Sequence, residues 1–316
     1  MAILYDLFLV GLGFAILILA GDLLVRAAVN LSLRLGIPAL IVSLTVVAFG
    51  TSAPELLIAI EALRDGAPGL ALGNVVGSNT ANVLLILGIP AMIVPLATGG
   101  HDLRRTYFSM LAATCLFIAI CFAGPITWGH GLILLAALTA MLWYAMRMAR
   151  RTLGGDLDAG IELEEAEPGM PGWKLGLFLV AGLGGLPLGA DILVSGAIDL
   201  AAVAGVSETV IGLTLVAVGT SLPELATTVM AAIRRQADVA MGNVIGSNMF
   251  NLLAIVGIAS FFGDIPVGPE FLRKDLWVML GASLLLLPFV LLRWNLTRPW
   301  GVLLTALYIV YVVSLI

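Results

Sequence analysis

Gly50-Thr51-Ser52-Ala53-Pro54-Glu55-Leu56 returns as Gly219-Thr220-Ser221-Leu222-Pro223-Glu224-Leu225, and Gly73-Asn74-Val75-Val76-Gly77-Ser78-Asn79 returns as Gly242-Asn243-Val244-Ile245-Gly246-Ser247-Asn248. Each pair agrees at six of seven positions, and both pairs are separated by the same 169 residues. That offset also superposes Asp22 on Asp191, Gly36 on Gly205, Asn82 on Asn251 and Gly88 on Gly257 without a gap. Unrelated motif hits do not share a register, so the chain is a duplication.

The sequence around these motifs is written for a bilayer. Of its 316 residues 61% are hydrophobic and 11% charged, and the mean hydropathy is +1.12, which excludes a soluble globular protein. Runs long enough to cross the hydrocarbon core fall near 3–33, 38–63, 69–96, 104–123, 128–148, 173–203, 207–232, 239–262, 274–292 and 299–316, which predicts an all-α polytopic protein with ten spans. The first run lacks a basic leader and a small-residue cleavage site, so it reads as a retained helix. Residues 1–150 form the first five-helix repeat, 151–172 an acidic linker and 173–316 the second repeat. Five is odd, so the second copy enters the membrane from the opposite side. The repeats are inverted, as in alternating-access transporters.

Lys and Arg set the orientation. The loops after the odd-numbered spans, with their flanking turns, hold Arg26, Arg34, Arg104, Arg105, Arg147, Arg150, Arg151, Lys174, Arg234, Arg235, Arg293 and Arg298; the other side holds only Arg64, Arg273 and Lys274. The positive-inside rule then places the 151–172 linker in the cytoplasm and both termini outside. That linker, with its six acids between 156 and 167, reads as a solvated connection.

The repeated motifs carry the chemistry. Gly-Thr-Ser ahead of Pro in an apolar run is a helix break and restart, because Gly loosens the backbone, Ser or Thr can cap and Pro fits a first helical turn. Spans 2 and 7 should be discontinuous there, and Gly-Asn-Val-x-Gly-Ser-Asn should interrupt spans 3 and 8. Thr51 and Glu55 lie four residues apart on one face, as do Thr220 and Glu224, Ser78 and Asn82, and Ser247 and Asn251. With Ser52 and Ser221 these are hard oxygen donors without His or Cys, which suits Na⁺, Ca²⁺ or Mg²⁺ rather than zinc or copper. An ionised carboxylate on a central helix turn costs about 3 kcal/mol, and two in one cavity repel each other. Glu55 and Glu224 therefore need a cation or a proton. One Ca²⁺ neutralises both, and several Na⁺ in neighbouring subsites do the same, which makes the two occupancies mutually exclusive.

Other polar residues carry weaker signals. Asp22 has Arg26 one turn on and reads as an ion pair, whereas its mate Asp191 faces Ser195; both are taken as structural or gating residues. His101 and His130 are expected in loops, and Cys115 and Cys121 are packing residues.

At these motifs the sequence resembles the calcium/cation antiporter superfamily, specifically the prokaryotic sodium/calcium exchangers, over essentially the whole chain. The resemblance implies a core of spans 2, 3, 7 and 8, across which spans 1 and 6 slide, and four adjacent cation subsites in a prokaryotic inner membrane. Glu55 and Glu224 would bridge Ca²⁺, Thr51 and Thr220 would add oxygens, Ser78 and Ser247 would line outer Na⁺ subsites, and the carbonyls of Ala48 and Ala217, in unwound stretches, would contribute. Relatives often carry Asp at the position of Asn251, and the missing acid implies no K⁺ requirement.

The reading is thus a Na⁺/Ca²⁺ antiporter, not an enzyme, with no cofactor, no nucleic-acid ligand and no obligate protein partner. A proton-coupled exchanger of Ca²⁺ or another divalent ion, with the same fold, is the nearest alternative, because a Glu carries H⁺ as readily as it binds Na⁺. A channel fits inverted, paired helix breaks poorly. An intramembrane protease lacks a His within a span and a Gly-x-Gly-Asp stretch.

Overall fold

The computed structural model describes residues 2–98, 101–153, 169–204 and 217–314, and among these the chain is helical apart from turns and two isolated antiparallel bridges. The helices are α1 (Ala2–Leu35), α2 (Ala39–Thr51), α3 (Ala53–Arg64), α4 (Pro68–Ile93), α5 (His101–Phe122), α6 (Trp128–Leu153), α7 (Gly172–Val203), α8 (Leu222–Ile233), α9 (Ala237–Ala259), α10 (Phe271–Leu291) and α11 (Arg298–Val313). Among the described residues seven are long and apolar enough to cross a membrane, and eight when α2 and α3, bent by 41° at Ser52, count as one span. Of the span expected over 207–232, residues 207–216 lie outside the described residues, and α8 with the short turn Ala217–Gly219 is the remainder. The linker's residues 154–168 also lie outside them, while α6 runs three residues past the expected boundary, to Leu153.

Helix α1 packs along α7 in antiparallel fashion. A Cβ on Gly172 would lie 2.7 Å from Arg34 Nη1, one on Gly182 3.1 Å from the Ala20 carbonyl, and one on Gly196 2.8 Å from the Asp6 carbonyl. Small residues let the two backbones approach this closely, which is the main attraction available to helices in lipid. The remaining helices sort by burial: the apolar window of α9 is 100% buried and that of α4 72%, against 17% for α6 and 22% for α7. Hence α4 and α9 are the interior and α6 and α7 the rim.

The two halves are knitted at positions that the 169-residue offset relates. Leu96 and Leu296 exchange backbone hydrogen bonds of 3.0 and 2.9 Å, and Ile126 and Ile265 exchange bonds of 2.8 and 3.0 Å. The offset carries Leu96 onto Ile265 and Ile126 to within one residue of Leu296. Left-handed turns recur in the same register: Gly66 (φ +72°) matches Arg235 (+55°), and Gly124 (+123°) matches Arg293 (+56°).

Three local expectations need correction. The Gly-Asn-Val-x-Gly-Ser-Asn stretches do not interrupt spans 3 and 8; both lie within regular helix, and the irregularity is a π-helical turn beginning after them, at Asn82–Ile86 and Phe250–Ile255. In the second copy the glycines serve close approach instead, since a Cβ on Gly242 would lie 2.6 Å from the Leu40 carbonyl and one on Gly246 2.6 Å from that of Leu44. The stretch before Gly50 is likewise not unwound. Ser43–Val47 is a π-helical turn leading into regular helix at Ala48. The histidines are not loop residues either: His101 is the first residue of α5, and His130 lies in the first turn of α6, where its Nδ1 accepts the Thr127 N–H at 3.2 Å.

Candidate cation site

Glu55 and Glu224 occupy the first turns of α3 and α8, just beyond the two Gly-Thr-Ser breaks and beside Pro54 and Pro223. Each is 1% exposed. The expected helix restart is present, but its chemistry differs from capping: neither Ser52 nor Ser221 makes a side-chain cap. Ser52 Oγ instead crosses to the other half and donates to Glu224 Oε1 at 3.1 Å. Its mate Ser221 is buried and its hydroxyl has no hydrogen-bond partner. Ser52 stands three residues before Glu55, so this bond brings the break of the first half against the buried acid of the second.

Around Glu224 lies a network that the first half lacks. Thr228 Oγ1 donates to the Glu224 carbonyl at 2.7 Å, and Asn243 Nδ2 donates to Thr228 Oγ1 at 3.1 Å and to the same carbonyl at 3.3 Å. Thr51 Oγ1 reaches Asn243 Oδ1 at 3.3 Å and Ala48 O at 3.3 Å. The repeat mates are Ala59 in place of Thr228 and Asn74, whose buried Nδ2 makes no bond. A second link between the halves runs from Asn82 Nδ2 to Asn248 Oδ1 at 2.9 Å.

Each residue expected at the site can now be located. Thr51, Ser52, Ser78, Asn82, Ser221, Ser247 and Asn251 are buried with the two glutamates, and Thr220 is half-buried on the wall of a cavity. Ala48 O accepts the Ser52 N–H at 3.0 Å from within a helix, and Ala217 opens the helical turn that ends at Gly219. Sequence reading missed Asn243, Asn248 and Thr228. The two asparagines stood inside the quoted motif but were assigned to a helix break. Thr228 has no polar mate, so the repeat could not reveal it.

The donor set suits a hard cation. Glu55 Oε2, Glu224 Oε2, Asn82 Oδ1, Asn251 Oδ1 and the hydroxyls of Ser221 and Ser247 are all buried oxygens without a hydrogen-bond partner. Such atoms cost about 1–3 kcal/mol each when left unmatched. Ca²⁺ and Na⁺ bind oxygens of this kind, Ca²⁺ taking six to eight of them.

Helix α7 lies over both breaks. A side chain at Gly50 would collide with Leu183, and a Cβ on Gly219 would lie 2.6 Å from Val194 Cγ2. Helix α1 meets α8, with a Cβ on Gly21 3.1 Å from the Ala226 carbonyl.

Residues 5–147 and 174–316 match the family described as sodium/calcium exchanger protein, one segment in each half. The chain belongs to this family. Membership makes it a membrane ion antiporter rather than an enzyme, and such exchangers need no cofactor. Among its relatives, the sodium/calcium exchanger MaX1 of Methanosarcina acetivorans is 33% identical over 339 residues, covering 96% of each chain. The inner membrane protein YrbG of Escherichia coli is 33% identical over 309 residues, covering 96% of this chain and 94% of YrbG. The sodium-calcium exchanger NCX_Mj, soaked with zero Na⁺ and Ca²⁺, superposes with a TM-score of 0.85 at 29% identity over 99% of this exchanger and 100% of NCX_Mj. Soaked with 10 mM Na⁺ and 10 mM Sr²⁺, it gives 0.84 at 30% identity over 99% of each chain.

Proposed function

We infer that this chain exchanges Na⁺ for Ca²⁺ by alternating access at a mid-membrane site built on Glu55 and Glu224. The observation that carries the reading is a pair of buried carboxylates, one from each half, with Ser52 beside the first bonded to the second, together with buried oxygens of Ser221, Ser247, Asn82 and Asn251 that lack a hydrogen-bond partner. Two ionised carboxylates are stable there only with about two positive charges between them. One Ca²⁺ supplies these directly, and Na⁺ ions supply them from adjacent subsites, so each ion expels the other. On this reading Thr51, Thr220, Ser52, Ser78 and the carbonyls of Ala48 and Ala217 complete the subsites.

The scaffold is ten spans in two inverted five-helix repeats, 1–150 and 173–316, joined by the cytoplasmic linker 151–172, with both termini outside. Support comes from the antiparallel pairing of α1 with α7, repeat mates under the 169-residue offset, and from the bridge pairs Leu96/Leu296 and Ile126/Ile265, which a two-fold axis would exchange. YrbG is an inner membrane protein of Escherichia coli, which favours a prokaryotic inner membrane. MaX1 is a sodium/calcium exchanger, and this, with the Na⁺ and Sr²⁺ soaks of NCX_Mj, favours Na⁺ and a divalent cation as the exchanged pair.

The test is ⁴⁵Ca²⁺ uptake into Na⁺-loaded proteoliposomes diluted into Na⁺-free buffer, with choline-loaded vesicles, with and without a proton gradient, as the comparison. Uptake that requires internal Na⁺ supports the reading. Uptake driven only by the proton gradient replaces Na⁺ by H⁺, and no uptake in any arm removes Ca²⁺ as cargo.

A further inference from the structure

The two repeat-related aspartates stand in opposite circumstances. Asp22 on α1 is tied down: Arg26 Nε lies 3.6 Å from Oδ2, and Arg234, at the C-terminal end of α8, contacts Oδ1. Helices α1 and α8 are thereby pinned together on the side of the molecule where α1 ends and α7 begins. Asp191 on α7 is exposed, and no basic side chain pairs with it among the described residues. The sequence explains the difference, because the 169-residue offset puts Ser195 in place of Arg26 and Asp65 in place of Arg234.

Asp191 also borders a cavity of about 180 Å³. Pro187, one turn earlier on α7, forms the same wall, and the opposite wall is Pro54, Gly219, Thr220 and Pro223. These are the residues flanking Glu55 and Glu224, so the cavity reaches the breaks that hold the two acids. A carboxylate on a membrane-spanning helix is tolerated where it faces water rather than lipid, and the cavity supplies that face. Among the described residues Asp191 is the only charged group that lines it. In the antiparallel α1–α7 pair Asp191 lies level with Gly13, about 13 Å along the axis from Asp22, taking nine residues of helix. The free aspartate and the pinned one therefore lie at different depths along the α1–α7 pair.

We propose that Asp191 is a cation-capture residue: it concentrates Ca²⁺ and Na⁺ in the open cavity and hands them to the Glu55/Glu224 site. This rests on the exchange reading above. A single carboxylate in a narrow, low-dielectric mouth raises the local cation concentration and the rate of entry, and this effect weakens as salt screens it.

The experiment is Na⁺-dependent ⁴⁵Ca²⁺ uptake by wild type, Asp191→Asn and Asp191→Glu in proteoliposomes, at low ionic strength and again with N-methyl-D-glucamine chloride added. Asp191→Asn is expected to raise the KM for Ca²⁺ about three- to tenfold with Vmax within a factor of about two. The gap from wild type should close as ionic strength rises, and Asp191→Glu should restore KM. A KM unchanged in Asp191→Asn, or a fall in Vmax with no salt-dependent change in KM, would overturn the proposal. Loss of Na⁺-dependent uptake by wild type itself would instead overturn the exchange reading, so the two failures are distinguishable.

Discussion

Ser52, in the first half of the chain, donates its hydroxyl to Glu224 Oε1 in the second half at 3.1 Å, while the equivalent Ser221 makes no such bond. The site is therefore asymmetric although its sequence is nearly symmetric. A hydrogen bond to a charged group contributes about 1.5–3 kcal/mol. Ser52→Ala should lower Ca²⁺ affinity about tenfold or more, at about 1.4 kcal/mol per decade, with Ser52→Thr recovering most of it. The KM for ⁴⁵Ca²⁺ uptake measures this directly, and a KM unchanged in Ser52→Ala would show that the bond does not orient Glu224 for cation binding.

Neutralising either acid should end divalent transport. Glu55→Gln and Glu224→Gln keep the shape of the side chain but halve the charge of the pair, and Ca²⁺ affinity follows ligand charge. Uptake should fall by more than about a hundredfold, while size-exclusion profile and thermal transition stay close to wild type. Normal exchange by either variant would remove the basis of the site.

Asn243 is fully buried and bonded to Thr51, Thr228 and the Glu224 carbonyl. Its removal strands partners in a low-dielectric interior, so Asn243→Ala should cost about 2 kcal/mol or more. Asn74→Ala, at the mate whose Nδ2 is unpartnered, should cost less. Thermal unfolding in detergent separates the two, and equal losses would contradict the asymmetry of the network.

The glycines provide a matched pair. A Cβ on Gly246 would lie 2.6 Å from both the Leu44 carbonyl and the Ala48 Cβ, whereas nothing lies within 4 Å of one on its mate Gly77. Gly246→Ala should force α9 away from α2 at a cost of about 1–3 kcal/mol, and Gly77→Ala should be tolerated. Expression level and thermal stability of the two variants check this.

Gly66, at φ +72°, ends α3 in the left-handed region with open space around its Cα. The cost of a side chain there is conformational alone, so Gly66→Ala should lower stability by about 1 kcal/mol and leave the KM for Ca²⁺ unaltered. A drop in stability comparable to that of Gly246→Ala would mean that packing had been misjudged.

Much of this was written in the sequence because the duplication is written there. The 169-residue register singled out Glu55, Glu224 and the breaks beside them, and composition placed them in a membrane. What pattern could not supply was contact between the halves. That Ser52 reaches Glu224, Thr51 reaches Asn243 and Asn82 reaches Asn248 depends on how α2, α4 and α9 interdigitate, and sequence separation carries no trace of it. Repeat reasoning also favours what is shared. It passed over Thr228, whose mate is Ala59, and although it set Arg26 beside Asp22 and Ser195 beside Asp191, it missed Arg234, which reaches Asp22 from another helix and has Asp65 as its mate. The glycines of the second motif were misread for a different reason: Gly permits both a broken helix and a close helix crossing, and only packing against Leu40 and Leu44 decides between them.

The central claim is that Ca²⁺ and Na⁺ compete for one pair of buried carboxylates. The most direct measurement is calorimetric titration of Ca²⁺ into the detergent-purified protein as Na⁺ replaces choline at constant ionic strength, for wild type and Glu224→Gln. The account predicts that Ca²⁺ affinity falls steeply with rising Na⁺ and that Glu224→Gln shows no Ca²⁺ binding in any buffer. Ca²⁺ binding that is indifferent to Na⁺, or that persists in Glu224→Gln, would contradict it.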